Sequence, residues 1–406
     1  VFPGATESVI TGSILSAFGT GWAMMAALSI RFTAQPQRWT TVPAVVMGVC
    51  GVGLMVCSPQ NATLTDLNWV WPPVMLALAV WMFVQMRRHL QGKGRWLLTP
   101  VLVVLAATTV GATVDNVAEV RIHQTYPAPG KLYDVGGHRL HLDCEGQGGP
   151  TVVLFNGLGE ISATWARITR EVSATTQVCA YDRAGQGWSD DTDSPQDGVA
   201  AARDLHALLA AAGEHGPYIL AGHSIGGPYA LTYAAQYPQQ IAGMVLLDSS
   251  SPEQMTSIPS YPGQYALALR RGLAFLPTLT RIGLGSLFSS GAGLPADAIG
   301  PAQAMTSTAR AARNGRDEIS MIPTVFRQAQ ALTSLHSRPL AVLTTSDSLG
   351  TGGWKAAQDK LAALSDNHLH RDVESTHAGL ITDERPAAQS AHAIAGALRL
   401  GRELGP

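Results

Sequence analysis

The chain has 406 residues, 46% of them hydrophobic and only 14% charged, where soluble domains carry roughly 25% charged residues. Its length and apolar content exclude a disordered or fibrous protein. The net charge of −2, with no block of like charges, argues against a nucleic-acid partner.

The shortage of charge is N-terminal. The first 114 residues hold only Glu7, Arg31, Arg38, Asp66, Arg87, Arg88, Lys93 and Arg95. Four apolar runs in this stretch, at 9–30, 42–57, 70–86 and 96–114, contain no acidic or basic residue. A bilayer core takes about 20 helical residues, so these runs read as four membrane spans and residues 1–114 as a transmembrane region. Pro43, Pro72 and Pro73 stand near run starts, where a helix tolerates proline. A soluble bundle would carry a polar face on each helix. A cleaved signal peptide would have a basic stretch before the first run, where only Glu7 is charged.

Arg31 and Arg38 separate the first two runs, and Arg87, Arg88, Lys93 and Arg95 the last two, whereas Ser58 to Trp69 has no basic residue. Short basic loops stay in the cytoplasm, which assigns everything after Val114 to the extracytoplasmic side. Trp22, Trp39, Trp69, Trp71, Trp81 and Trp96 crowd this region, several at span ends where indole suits the interface. No carboxylate, lysine or arginine inside a run marks an ion or proton path. The expected role is anchoring in membrane lipid, and a transporter fused to the rest of the chain is disfavoured.

Residues 115–130 read as a linker ending in Pro127 to Gly130. From Lys131 the pattern becomes short β-rich runs alternating with amphipathic helices. Lys131 to Val135 and His138 to Cys144 flank Gly136-Gly137, a two-residue hairpin signal. Strands follow at Thr151 to Phe155, Gln177 to Tyr181, Tyr218 to Ala221, Gly243 to Leu247, Leu340 to Thr344 and His368 to Val373. Helices are expected around Ala163 to Ala174, Val199 to Ala212, Gly227 to Tyr237 and Arg385 to Leu400. Such alternation predicts an α/β domain with a mostly parallel sheet covered on both faces. Residues 250–338 interrupt it with an apolar, proline-punctuated helical insertion, which reads as a cap. Its apolar side chains either line a pocket or form only the cap's own core.

Gly222-His223-Ser224-Ile225-Gly226 matches G-x-S-x-G. The pentamer alone is weak, because glycine and serine are common. Its place between a strand and a helix strengthens it, since that sharp turn exposes the serine hydroxyl and needs small neighbours. Tyr181-Asp182-Arg183-Ala184-Gly185-Gln186-Gly187-Trp188-Ser189 follows an earlier strand. With these two motifs in order, residues 131 to about 400 resemble the α/β-hydrolase superfamily, whose turn reads D-R-x-G-x-G-x-S. The resemblance implies an eight-stranded mostly parallel sheet with a helical cap, and says nothing about the four spans.

It also implies a serine nucleophile at Ser224 and a base at His377, which follows the last strand and precedes the final helix. His223, beside the nucleophile, reads as structural support. The triad acid is left between two residues. Asp347 follows the strand at Leu340, the family's usual position, but its loop is one residue short. Asp248 ends the strand at Gly243, where some relatives such as certain haloalkane dehalogenases carry the acid. Asp248 is slightly favoured. The oxyanion donors implied are the amides of Ile225 and, in Phe155-Asn156-Gly157-Leu158-Gly159, of Leu158. Asn156 stands where the family usually has histidine.

Cys144 and Cys179 fall on strands that are antiparallel neighbours in this superfamily. They form either a disulfide, which an extracytoplasmic location permits, or two buried thiols. Cys50 and Cys57 read as packing residues in the second span. No spacing typical of a metal site occurs, and no cofactor is expected. The expectation is a membrane-anchored serine hydrolase cleaving hydrophobic carboxylic esters. Serine at the elbow argues against the carboxylate-nucleophile chemistry of dehalogenases and epoxide hydrolases. The alternatives are an amidase, thioesterase, peptidase or acyltransferase on the same triad, or a non-catalytic membrane protein whose hydrolase-like domain binds a ligand.

Overall fold

A computed structural model describes residues 6–92, 94–192 and 196–403. Lys93 of the second basic loop lies outside the described residues. The chain forms two compact units. One comprises residues through Ile122 together with Arg271–Leu287; the other comprises His123–Arg270 and the residues from Phe288 onward.

The first unit is built on α1 (Glu7–Phe32), α2 (Thr41–Cys57), α3 (Trp71–His89) and α4 (Gly94–Thr125). With their flanking turns these make four helical segments long and apolar enough to cross a membrane. The helix α4 runs on past Val114 to Thr125, so most of the expected linker is helical. Apolarity ends at Val114, but Asp115, Glu119 and Arg121 are tolerated in a helix.

Helices α1 and α2 pack through glycine. A side chain on Gly12 would lie 2.6 Å from the Gly51 carbonyl, and one on Gly19 would lie 2.7 Å from the Gly48 nitrogen. Lipid offers no hydrophobic drive for helix association, and such close backbone approach supplies van der Waals contact instead. Trp22, Trp39, Met47, Met82, Met86 and Leu102 fill the interior of this unit. Val45, Val49, Val56, Val103 and Val104 point outward and are exposed.

Part of the cap insertion also belongs to this first unit. Arg281 and Glu7 form a buried ion pair, the hydroxyls of Thr278 and Thr11 are 3.0 Å apart, and Gly283 abuts Gly111. The expected hydrolase cap is therefore divided, with Arg271–Leu287 packed among the apolar helices.

The second unit has one eight-stranded sheet in the order β1-β2-β4-β3-β5-β6-β7-β8. Its strands are β1 (Lys131–Asp134), β2 (Arg139–Glu145), β3 (Val152–Phe155), β4 (Val178–Tyr181), β5 (Tyr218–His223), β6 (Ile241–Leu247), β7 (Leu340–Thr345) and β8 (His368–Val373). The β1–β2 hairpin is antiparallel and joins β4 antiparallel; every other pairing is parallel. Central strands covered on both faces must be apolar throughout, as every residue of β3 and β4 is buried.

Val152, Leu154, Ile219, Ala221, Val245 and Leu247 face a cluster with Ile168 of α5 (Ala166–Val172) and Ile394 of α11 (Glu384–Glu403). On the other face Phe155 meets Tyr233 of α7 (Gly226–Gln236). The helices α6 (Gly198–Ala212), α8 (Ala296–Thr306), α9 (Ala309–Ala329) and α10 (Trp354–Ala362) complete the layers. Cys144 and Cys179 are register partners on β2 and β4, and they are disulfide-bonded.

Candidate active site

The strand β5 ends at His223 and α7 begins at Gly226, leaving Ser224 and Ile225 to make the turn. Ser224 has φ +54°, a left-handed conformation costly for a residue with a side chain. Only glycine fits around it. A side chain on Gly222 would come within 2.8 Å of Gly226, and one on Gly226 would overlap the Phe155 carbonyl. The Ser224 amide donates to the Leu247 carbonyl at 3.2 Å and its carbonyl accepts from Ser250 at 2.9 Å, so backbone bonds hold the elbow.

Asp248, directly after β6, is fully buried and also left-handed at φ +43°. Its carboxylate accepts from His377 Nδ1 at 2.6 Å, Ser348 Oγ at 2.5 Å, Thr345 Oγ1 at 2.9 Å, the Thr345 amide at 3.2 Å and Trp354 Nε1 at 3.1 Å. Burial alone would push this carboxyl up; His377, Ser348 and Thr345 outweigh it and hold the pKa below the ordinary range. An ionised Asp248 accepts only, which puts a proton on Nδ1 of His377 and leaves the Nε2 lone pair for another partner. His377 is 39% exposed on its side chain, against 0% for Asp248.

Asp347 is elsewhere. It sits exposed on the turn Ser346–Leu349, and only its amide reaches the base loop, donating to the Ser375 carbonyl at 3.4 Å. Of the two expected acids, Asp248 meets the histidine and Asp347 does not. Ser224 Oγ and His377 Nε2 have no hydrogen-bond partner among the described residues. The serine–histidine bond is thus unmade in this structure, a link that often tightens only with substrate bound.

The loop after β3 abuts the start of α7, with the Phe155 and Asn156 carbonyls beside Gly226. Asn156, in the usual histidine position, is buried; it donates to the Tyr181 carbonyl at 2.8 Å and accepts from Trp165 Nε1 at 2.8 Å. Arg183 donates to the Asn156 carbonyl at 2.6 Å and the Gly157 carbonyl at 3.2 Å, and pairs at 2.5 Å with buried Glu318 of α9. The Gly157 amide is taken by Glu160 at 2.5 Å. The amides of Leu158 and Ile225 have no acceptor among the described residues.

Sequence reading missed Glu160, Glu318, Ser348 and Trp354. A carboxylate inside the glycine-rich loop Gly157-Leu158-Gly159-Glu160 was the one available signal, since a charge there must find a partner once buried. His223 also does more than fill space. It bridges Glu160 and the His377 carbonyl, with its ring centroid 4.5 Å from that of His377.

Comparison with known proteins agrees with this architecture. Residues 150–288 match the family model described as "alpha/beta hydrolase fold". An uncharacterized protein of Schizosaccharomyces pombe is 31% identical over 192 residues, covering 40% of this chain and 35% of its own length. The chain spans between 20% and 47% of the length of the first curated relatives it matches. The crystal structure of DbjA superposes with a TM-score of 0.55 at 17% identity, over 68% of this chain and 100% of that one. The enol-lactonase of Burkholderia xenovorans superposes with a TM-score of 0.50 at 19% identity, over 66% of this chain and 100% of that one. Likeness at such identities establishes fold. The second unit has the α/β-hydrolase fold, and four helices long and apolar enough to span a membrane precede it in the sequence.

Proposed function

We propose that this chain is a membrane-anchored serine hydrolase that cleaves hydrophobic carboxylic esters outside the cytoplasm. The reading is carried by the 2.6 Å contact between His377 Nδ1 and buried Asp248, in a domain whose elbow presents Ser224 at φ +54°. Ser224 Oγ attacks the ester carbonyl while His377 Nε2 accepts its proton, and Asp248 stabilises the imidazolium. The amides of Leu158 and Ile225 bind the developing oxyanion, each contributing about 3 to 4 kcal/mol. The alcohol departs with the proton from His377. Water then hydrolyses the acyl-enzyme through the same groups in reverse. No cofactor or metal takes part.

Anchoring rests on the four apolar helices, and the extracytoplasmic side on the basic loops and on a disulfide suited to an oxidising compartment. A serine at the elbow supports acyl rather than haloalkane or epoxide chemistry. The apolar cap and membrane setting favour a lipid-like ester.

The test is labelling of the full detergent-solubilised chain with a fluorophosphonate, comparing wild type with Ser224→Ala and His377→Ala. The expected result is a single adduct on Ser224 that both variants abolish. A folded wild type that neither labels nor turns over esters would sink the proposal and favour a ligand-binding module.

A further inference from the structure

Glu160 and His223 are titratable groups beside the nucleophile to which the triad assigns no task. His223 Nε2 lies 2.9 Å from the His377 carbonyl, an atom that can only accept, so Nε2 carries a proton. His223 Nδ1 lies 2.5 Å from Glu160 Oε1, and the other carboxylate oxygen accepts from the Gly157 amide at 2.5 Å. The His223 side chain is 1% exposed and that of Glu160 is 13% exposed. The bonds form one chain: Gly157 amide, Glu160, His223, His377 carbonyl. Its ends lie on the loop expected to donate to the oxyanion and on the loop carrying the expected base, and its middle is the residue before the nucleophile.

We propose that Glu160 and His223 are a buried carboxylate–imidazolium pair that positions the oxyanion loop and the base loop about Ser224. The proposal rests on reading Ser224 and His377 as nucleophile and base. The geometry gives each partner a defined task. By occupying the Gly157 amide, Glu160 leaves Leu158 as the donor of its loop. By donating to the backbone of His377 itself, His223 fixes the base independently of the Asp248 contact on its ring. The charge state agrees with this. Burial pushes His223 down and Glu160 up, but their mutual attraction and hydrogen bond prevail, raising the imidazole and lowering the carboxyl. Asp248 is the other ionisable group acting on His223, which His377 touches through its backbone carbonyl, and His377 and Glu318 are the others acting on Glu160.

Glu160→Gln keeps the shape and removes the charge. In the full detergent-solubilised chain, kcat for an aryl ester should fall about 10- to 100-fold, with KM within about 2-fold, because small displacements of reacting groups cost rate rather than binding. Ser224 should still react with fluorophosphonate, more slowly. An unchanged kcat at wild-type thermal stability would reduce the pair to packing. Ring-15N NMR of the wild type, with His223 assigned by its loss in His223→Gln, needs no folded Glu160 variant. Both His223 nitrogens should be protonated at pH 7, above the ordinary imidazole value of about 6.5, and a neutral ring there would overturn the charged pair. Failure of the wild type itself to label or turn over would instead refute the triad reading, and the positioning role with it.

Discussion

The two units of this chain use apolar side chains in opposite ways. In the sheet unit Val152, Val153 and Leu154 are fully buried. In the span unit Val45, Val49, Val52, Val56, Val103 and Val104 are exposed, while Trp22, Met82 and Met86 fill the interior and glycines bring α1 and α2 together. Water drives the first arrangement by expelling apolar surface. In lipid, which cannot drive packing that way, close backbone contact would hold the second together. The difference extends to polar groups. The span unit carries few charges, whereas the sheet unit seals Asp182, Asp248, Glu318 and Arg183 inside, each with hydrogen-bond partners.

The largest effect expected from breaking that sealed network is at Asp248. Asp248→Asn leaves an acceptor on His377 Nδ1 facing an amide, which inverts the tautomer the mechanism needs; kcat should fall about 10⁴-fold with the fold retained. Asp347→Asn, exposed and away from the ring, should stay within about 2-fold, since surface changes rarely matter. Equal losses in both would remove Asp248 from the triad. The pH dependence has a defined sign. A carboxyl held below its ordinary range stabilises the fold at neutral pH, and that contribution is lost as pH falls through the lowered value. The stability advantage of wild type over Asp248→Asn should therefore shrink on acidification, as read from thermal unfolding between pH 7 and 3.

Cysteine sharpens the contrast at an intermediate scale. Cys144 and Cys179 are paired across 35 residues in the sheet unit, whereas Cys50 and Cys57 in α2 are free and exposed. Alkylation before reduction should tag Cys50 and Cys57 and spare the other two. Replacing Cys144 and Cys179 with serine should cost about 2 to 4 kcal/mol, measurable by thermal unfolding. Alkylation of all four in protein from its native membrane would place the domain in a reducing compartment.

Which features could be read from sequence follows the same physics. The elbow was legible because strand, tight turn and helix demand glycine at 222 and 226 around Ser224. The sheet was legible because buried parallel strands are runs of Val, Leu and Ile. Asp248 and Asp347 were separated only by a slight preference for Asp248. The choice depends on the turn Ser346–Leu349, which carries Asp347 outward and delivers Ser348 to Asp248, and no periodicity encodes that turn. Glu160 was legible only as a charge in a glycine-rich loop and its role was not, since its partners are a backbone amide and a histidine 63 residues away. The cap was recognised as helical, but its division between units was not. That depends on Glu7 meeting Arg281, a pairing of distant charges that composition does not reveal.

The smallest expected effect tests the opening contrast most directly, because one substitution is made in both units. Val49 is 66% exposed on α2 and Val153 is 0% exposed at the centre of the sheet. Adding one methylene at Val153 has no free volume to enter in a close-packed interior, so Val153→Leu should destabilise by about 1 to 3 kcal/mol. Val49→Leu meets only the surroundings of the span unit. If those are lipid or detergent tails, the larger side chain is as well solvated as the smaller, and the change should stay within about 0.5 kcal/mol. Thermal unfolding of the two variants in the same detergent gives the comparison. A large loss at Val49 would mean that its face packs on protein, and the outward valines would then mark a helix–helix or subunit interface instead of a lipid-facing surface.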